Sequence, residues 1–152
     1  MSLQSKQPTY DEYFREFAFV TSKRSPCQLL QTGCVIVKDN RMINQAHNTY
    51  LTDAFSNALM DEYHDHFTMS LLEEFLVHAE QNALSDCARR GISCENATIY
   101  CTHLPCINCV RSIIASGIKS IKYHISYNEN TIVPYMCKLS SVTLECLDQS
   151  KK

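Results

Sequence analysis

Apolar residues recur at helical spacing in three stretches of the chain. The first follows Thr9, which forms a capping box with Glu12, and it predicts an amphipathic helix from Tyr10 to about Ser22. Two further helices are predicted over Ala79–Arg90 and Cys106–Ala115, and a glycine follows each of them closely. Each of the two later helices begins at or next to a residue that could bind a metal, His78 or Cys106.

Short runs of β-branched and apolar residues lie between these helices. Gly33–Val37 and Met42–Ala46 flank turn-forming residues and predict a hairpin. Three more strands are predicted over Ala97–Cys101, Ile118–Ile125 and Val142–Leu147. The order of elements is helix, hairpin, helix, strand, helix, strand, short helix, strand. It predicts an α/β fold, a three-layer α/β/α sandwich around a mixed sheet of about five strands.

The chain has the length of one ordinary domain. Its 152 residues contain no tract that resembles a linker or a low-complexity segment. We therefore expect a single domain over residues 1–152, with an insertion around residues 49–77 where the periodic signals weaken. The triplet His64-Asp65-His66 in this insertion has two interpretations, a second metal site and a solvated loop, and the loop is favoured.

The charge pattern argues against a protein that binds long nucleic acid. Fourteen Lys and Arg residues stand against sixteen Asp and Glu residues, and no basic stripe is present. The polar first nine residues lack the apolar run of a signal peptide, and no stretch is long enough to span a membrane. We expect a cytoplasmic protein with a small-molecule substrate and with neither long nucleic acid nor a membrane as a partner.

Two groups of cysteines can be interpreted from the sequence, and together they contain five of the nine. Their odd number and the missing export signal argue against a disulfide framework. Cys34, Cys87 and Cys101 lie in apolar runs and are predicted to be small core residues. Cys106 and Cys109 form a Pro-Cys-x-x-Cys motif, and this close spacing is typical of metal binding in a reducing compartment.

His78, Cys106 and Cys109 offer one imidazole and two thiols at the starts of two predicted helices. A closed structural zinc site uses four ligands, so this set leaves one position for water. Zinc lowers the pKa of bound water from about 15.7 to roughly 7, which makes hydroxide available at neutral pH. A helix N-terminus also stabilises a thiolate. The sequence therefore predicts a catalytic Zn²⁺ held by these three residues.

Glu80 is the predicted catalytic residue. It lies only two residues from His78, so the two side chains cannot both extend in the same direction as metal ligands. It can still reach a water bound to the metal. We assign it the transfer of protons from that water to a ring nitrogen of an amidine-like base and to the departing ammonia. The alternative interpretations are a purely structural zinc site and a surface histidine beside a carboxylate that favours a helix N-terminus.

His-x-Glu followed by Pro-Cys-x-x-Cys is the signature of zinc nucleobase deaminases. With Arg24–Cys27, Gly33–Asp39, His78–Leu84 and Ala97–Tyr123, the chain resembles the deoxycytidylate deaminases, over roughly residues 10–123. The resemblance implies the cytidine-deaminase-like fold and the conversion of dCMP to dUMP, the precursor for thymidylate synthesis. It also implies a homo-oligomer, either a dimer or a hexamer, and regulation by dCTP and dTTP.

The resemblance also implies substrate contacts. Asn48 matches an asparagine that contacts sugar and base, and the backbone of Ala79 matches the group that reads the pyrimidine carbonyl. Thr102 and His103 are expected to line the floor of the pocket.

Two departures from the family pattern leave the phosphate contacts and the regulation open. Ala46–Tyr50 replaces the family's Gly-Tyr-Asn-Gly segment, and Gln28–Leu30 replaces an arginine. Lys23, Arg24 or residues of the insertion are candidate phosphate partners. The alternative functions are deamination of dCTP, deamination of guanine or of tRNA adenosine at the same zinc site, and a catalytically silent zinc-binding partner.

Overall fold

The computed structural model describes residues 6–27, 29–52, 57, 74–126 and 132–148. The helices within these residues are α1 (Tyr10–Ser22), α2 (Ala79–Arg90), α3 (Ile107–Ala115) and α4 (Ile132–Leu139). The strands are β1 (Gly33–Lys38), β2 (Arg41–His47), β3 (Thr49–Tyr50), β4 (Leu76–Val77), β5 (Thr98–His103), β6 (Ser120–Ile125) and β7 (Thr143–Cys146). The predicted helices and the five predicted strands are all present. The His64–His66 triplet and most of the predicted insertion lie outside the described residues.

Five strands form one mixed sheet in the order β2-β1-β5-β6-β7. Strand β1 is antiparallel to both β2 and β5, whereas β5, β6 and β7 run parallel to one another. Parallel neighbours need crossover connections, and α3 and α4 supply them. The prediction of a mixed five-stranded sheet is confirmed.

Helices cover both faces of this sheet, because side chains of the central strands alternate between two cores. On one face α1 packs against the sheet in a small cluster of Phe14, Ala18, Val35, Val37 and Tyr100. On the other face the remaining helices pack in a larger cluster that includes Ile36, Ile99, Ala83, Cys87, Val110, Ile113, Val133 and Cys137. This arrangement confirms the three-layer sandwich. None of the described helices combines the length and the apolar character needed to cross a bilayer.

The cysteines predicted to be core residues are buried. Cys34, Cys87 and Cys101 are at most 4% exposed and belong to the larger cluster. All nine cysteines lie among the described residues, and each is a free thiol.

Gly33, the first residue of strand β1, must be a glycine because helix α1 passes very close to it. A Cβ atom placed on Gly33 would lie 2.5 Å from the carbonyl oxygen of Ala18 and 2.6 Å from the nitrogen of Ser22. These contacts are with helix backbone, which cannot give way as a side chain does. The glycine therefore lets α1 lie directly against the end of β1 that borders the site described below.

A two-stranded sheet that the sequence did not predict joins the two ends of the predicted insertion. Strands β3 and β4 pair antiparallel, with Thr49 opposite Val77. Asn48 immediately precedes β3 and His78 immediately follows β4. The pairing therefore brings these two predicted site residues to the same edge of the molecule.

A polar clamp fastens α1 to the sheet. Both carboxylate oxygens of Asp11 accept hydrogen bonds from Lys122 Nζ at 2.8 Å, and the Tyr100 hydroxyl donates to Asp11 at 2.7 Å. Lys122 Nζ also lies 3.3 Å from a carboxylate oxygen of Glu145. Partial burial alone would raise the pKa of Asp11, but the hydrogen bonds from Lys122 and Tyr100 lower it overall.

The clamp should stabilise the fold in a pH-dependent way. A carboxyl with a lowered pKa in the folded state stabilises it above its ordinary pKa of 3.8, and this contribution is lost as the pH falls through the lower folded-state pKa. Because the pair is partly exposed, Asp11→Asn should cost only about 1 kcal/mol at pH 7, or about 2–4 °C in Tm. Thermal denaturation at pH 7 and at about pH 3 checks this, since the difference from the unmodified protein should shrink in acid. The control is Glu16→Gln, and an equal loss in both variants would contradict the clamp.

Candidate metal centre

Three side chains meet where two helices begin. His78 is the N-cap of α2, Cys106 is the N-cap of α3, and Cys109 lies in the first turn of α3. The first N–H groups of each helix have no intrahelical partner, so both helix starts favour negative charge nearby. The fold thus brings the three predicted metal ligands together from two distant parts of the chain.

The distances among these side chains fit a tetrahedral zinc ion. Nδ1 of His78 lies 3.6 Å from Sγ of Cys106 and 3.4 Å from Sγ of Cys109. All three candidate ligand atoms lie within 4.8 Å of one another. With Zn–S near 2.3 Å and Zn–N near 2.05 Å, a tetrahedral angle separates sulfur and nitrogen by about 3.6 Å. The residues present therefore fit zinc without rearrangement.

The surroundings of Cys106 favour its thiolate. Hydrogen bonds with the thiol of Cys109 and with His78 hold the pKa of Cys106 well below its usual value, although partial burial opposes them. Because the thiolate is the form that binds a metal, this environment prepares Cys106 to be a ligand.

Glu80 lies beside the candidate ligands and away from bulk water. It is the second residue of α2, and its side chain is 7% exposed. Burial raises the pKa of its carboxyl above the usual value. A raised pKa makes the carboxyl a better proton acceptor than an ordinary glutamate, which suits a general acid–base catalyst.

A cavity of about 330 Å³ opens beside this cluster. Five predicted site residues line it, namely Asn48, His78, Glu80, His103 and Cys106. A cavity of this volume lies in the range of small-molecule sites.

The remaining predicted residues lie behind the cavity surface. Cys109 is fully buried, and Ala79 and Thr102 are each 1% exposed. Ala79 is the first residue of α2, so its N–H belongs to the group without intrahelical partners. Thr102 was expected on the pocket floor, but it is not among the described residues that line the cavity. Its hydroxyl instead accepts a hydrogen bond from the N–H of Gly33 at 3.1 Å.

Asn48 holds one wall of the cavity in place. Its Oδ1 accepts a hydrogen bond from the N–H of Thr32 at 2.9 Å, and its Nδ2 donates to the carbonyl of Leu30 at 2.8 Å. Its backbone N–H donates to the carbonyl of Thr32 at 3.1 Å. Asn48 thus fixes the Leu30–Thr32 segment. Its expected contact with sugar and base remains a prediction.

Sequence reasoning missed an apolar wall of the cavity. The described residues that form it are Cys27, Leu29, Leu30, Leu76 and Leu104. The one sequence signal for this wall was the departure at Gln28–Leu30, where the family resemblance predicts an arginine. Arg24, a candidate replacement, lines a separate groove of about 400 Å³ together with Gln45 and Asn82. No lysine or arginine is among the described residues that line the cavity.

Comparison with known proteins places this site in a family. The model of the cytidine and deoxycytidylate deaminase zinc-binding region matches residues 8–125. ComE operon protein 2 of Bacillus subtilis is 33% identical over 141 residues, which are 90% of this chain and 70% of that protein. The deoxycytidylate deaminase of Saccharomyces cerevisiae is 35% identical over 124 residues, 80% of this chain but only 39% of the yeast protein.

Solved structures agree on the fold. The dCMP deaminase of cyanophage S-TIM5 in its apo form superposes with a TM-score of 0.71 at 23% identity, covering 93% of this chain and 99% of that one. The same phage enzyme in complex with dCMP and dUMP also gives a TM-score of 0.71. These matches confirm the cytidine-deaminase-like fold. The family model covers most of the chain, which confirms the predicted enzyme class, a nucleotide deaminase. The chain therefore belongs to the cytidine and deoxycytidylate deaminase family.

Proposed function

We propose that the protein is a zinc-dependent deaminase that converts dCMP to dUMP and ammonia. The observation that carries the proposal is the His78, Cys106 and Cys109 triangle beside the buried Glu80, at the edge of a nucleotide-sized cavity. The choice of dCMP is supported by relatives named deoxycytidylate deaminase, among them the yeast protein.

His78, Cys106 and Cys109 are the residues that would hold zinc. When bound, zinc supplies the Lewis acidity that makes water a nucleophile at neutral pH. Three ligands are one fewer than a closed structural zinc site uses, so they would leave room for a water on the bound ion. Their placement at two helix starts keeps the donor atoms fixed relative to each other, because both helices pack in the larger core.

Glu80 would carry the protons of the reaction. Its carboxyl would take one proton from the attacking water and deliver it to N3 of the cytosine ring. It would then take the remaining proton of the hydroxyl added at C4 and pass it to the amino group, so that ammonia leaves and C4 becomes a carbonyl. Burial keeps competing bulk water away from the carboxyl. The Ala79 backbone N–H, at the start of the same helix, would donate to the pyrimidine carbonyl, and Asn48 and His103 would contact the rest of the nucleotide.

The product dUMP would supply thymidylate synthesis, and the cytoplasm would be the place of action. A homo-oligomer and regulation by dCTP or dTTP stay predictions of the family resemblance. Leu29 and Leu30 line the cavity where the family resemblance predicts an arginine, so the phosphate contacts stay open, with Lys23, Arg24 or residues of the predicted insertion as candidates.

A substrate panel tests the proposal. Ammonia release from the zinc-loaded protein should show the highest kcat/KM for dCMP when dCTP, deoxycytidine, guanine and an adenosine-bearing tRNA stem-loop are compared at equal concentrations. A preference for dCTP or deoxycytidine would keep the zinc chemistry but overturn the choice of dCMP. Activity confined to guanine or to RNA would overturn the cytosine assignment. Zinc binding without turnover of any of these compounds would favour a catalytically silent partner.

A further inference from the structure

Thr102 and His103 end strand β5 beside the cavity, and they differ in what they can touch. His103 lines the cavity, whereas Thr102 is almost completely buried behind it. The two side chains contact each other, with Nδ1 of His103 lying 2.9 Å from Oγ1 of Thr102. A residue that cannot reach the substrate is thus in contact with one that can.

The direction of this hydrogen bond follows from the valences of the threonine hydroxyl. A hydroxyl has one proton to donate and two lone pairs to accept with. The N–H of Gly33 donates to Oγ1 of Thr102 at 3.1 Å and uses one lone pair. A buried hydroxyl proton without an acceptor is costly, and among the described residues the acceptor within reach is Nδ1 of His103. The hydroxyl of Thr102 therefore donates to Nδ1.

This direction fixes the tautomer of His103. A neutral imidazole has one nitrogen that donates and one that accepts. Since Nδ1 accepts from Thr102, the ring proton lies on Nε2, and any contact made through Nε2 is one in which His103 donates. Burial, together with the nearby His124, lowers the pKa of His103 below its usual value, so the ring is neutral at pH 7.

We propose that Thr102 is a positioning residue that acts through His103, by holding the neutral imidazole as an Nε2–H donor for an acceptor atom of the nucleotide. His103 is then neither a second proton carrier beside Glu80 nor a further metal ligand. Carbonyl, hydroxyl and phosphate oxygens of a nucleotide all accept such a hydrogen bond. The inference about substrate binding rests on the proposed function, whereas the tautomer of His103 does not depend on it.

The tautomer is measured directly on the full-length, zinc-loaded protein. Long-range proton–nitrogen NMR correlations of histidine rings distinguish Nε2–H, Nδ1–H and doubly protonated forms, and the signals lost in His103→Gln identify His103. We expect the Nε2–H form at pH 7. An Nδ1–H or a doubly protonated ring would overturn the proposal, whether or not the protein turns over dCMP.

Two matched variants test the role of the hydroxyl. Thr102→Val removes the hydroxyl with little change in shape and should raise KM for dCMP about tenfold with little change in kcat, as expected for one lost hydrogen bond in substrate binding. Thr102→Ser keeps the hydroxyl and should restore both the low KM and the Nε2–H signal. Equal KM values for the two variants would overturn the positioning role. If Thr102→Val fails to fold because Gly33 loses its acceptor, the NMR measurement and the serine variant still decide.

Discussion

Replacing Glu80 with glutamine should leave a folded protein with a full complement of zinc and lower kcat for dCMP by about 10²–10⁴-fold. The carboxamide has nearly the same shape as the carboxyl, but it cannot take up and release a proton. The residue is not one of the three candidate ligands, so the metal content should not change. Metal analysis, circular dichroism and steady-state kinetics on the same preparation measure all three properties.

The matched control for this variant is Glu95→Gln. It makes the same chemical change at an exposed glutamate outside the cavity lining, and it should keep its activity. Turnover by Glu80→Gln at the rate of the unmodified protein would show that another group carries the protons.

Replacing Cys106 with alanine should remove the bound zinc and lower thermal stability. Two ligands from separate helices cannot hold the ion as three do, and zinc bound to the folded state stabilises that state. Loss of a group that only orients a ligand already costs about 10–100-fold in metal affinity, so loss of a ligand should cost more. Elemental analysis after dialysis gives the zinc content, and thermal denaturation gives the stability.

The control here is Cys146→Ala, which removes an exposed thiol on strand β7, away from the metal centre. It should retain zinc and have an unchanged Tm. One zinc per chain in Cys106→Ala after dialysis would contradict the ligand assignment.

The ends of the helices could be predicted because their sequence signals are local. The capping box of Thr9 and Glu12 predicted the start of α1, and both of its hydrogen bonds are present. Gly91 was expected to end α2 and adopts the left-handed conformation at its C-cap. Likewise, the helical pattern of Cys106–Ala115, ended by Gly117, predicted that Cys106 and Cys109 lie at a helix start, and they do.

The parts that could not be predicted depend on contacts between distant residues. The pairing of β3 with β4 joins two dipeptides at the two ends of the predicted insertion, and neither dipeptide has a strand signal of its own. Nothing local distinguishes a threonine that lines a pocket from one that accepts a hydrogen bond from Gly33 behind it. The apolar wall of Leu29 and Leu30 depends on the hydrogen bonds that Asn48 makes to that segment.

The same contrast explains why the family could be identified from sequence while the phosphate contacts could not. The candidate zinc ligands and Glu80 lie in two short motifs, whereas phosphate can be bound by cations from any nearby loop. Arg24 is close to the Ser-Pro-Cys element in sequence, yet it lines a different groove. Proximity along the chain was therefore a poor guide to proximity at the cavity.

The most direct test of the central claim is the simultaneous measurement of dUMP and ammonia formed from dCMP by the full-length protein carrying one zinc per chain. We expect the two products in equal amounts, with product formation lost in Glu80→Gln and retained in Glu95→Gln. Fully zinc-loaded, folded protein that forms no dUMP from dCMP would contradict the proposed function.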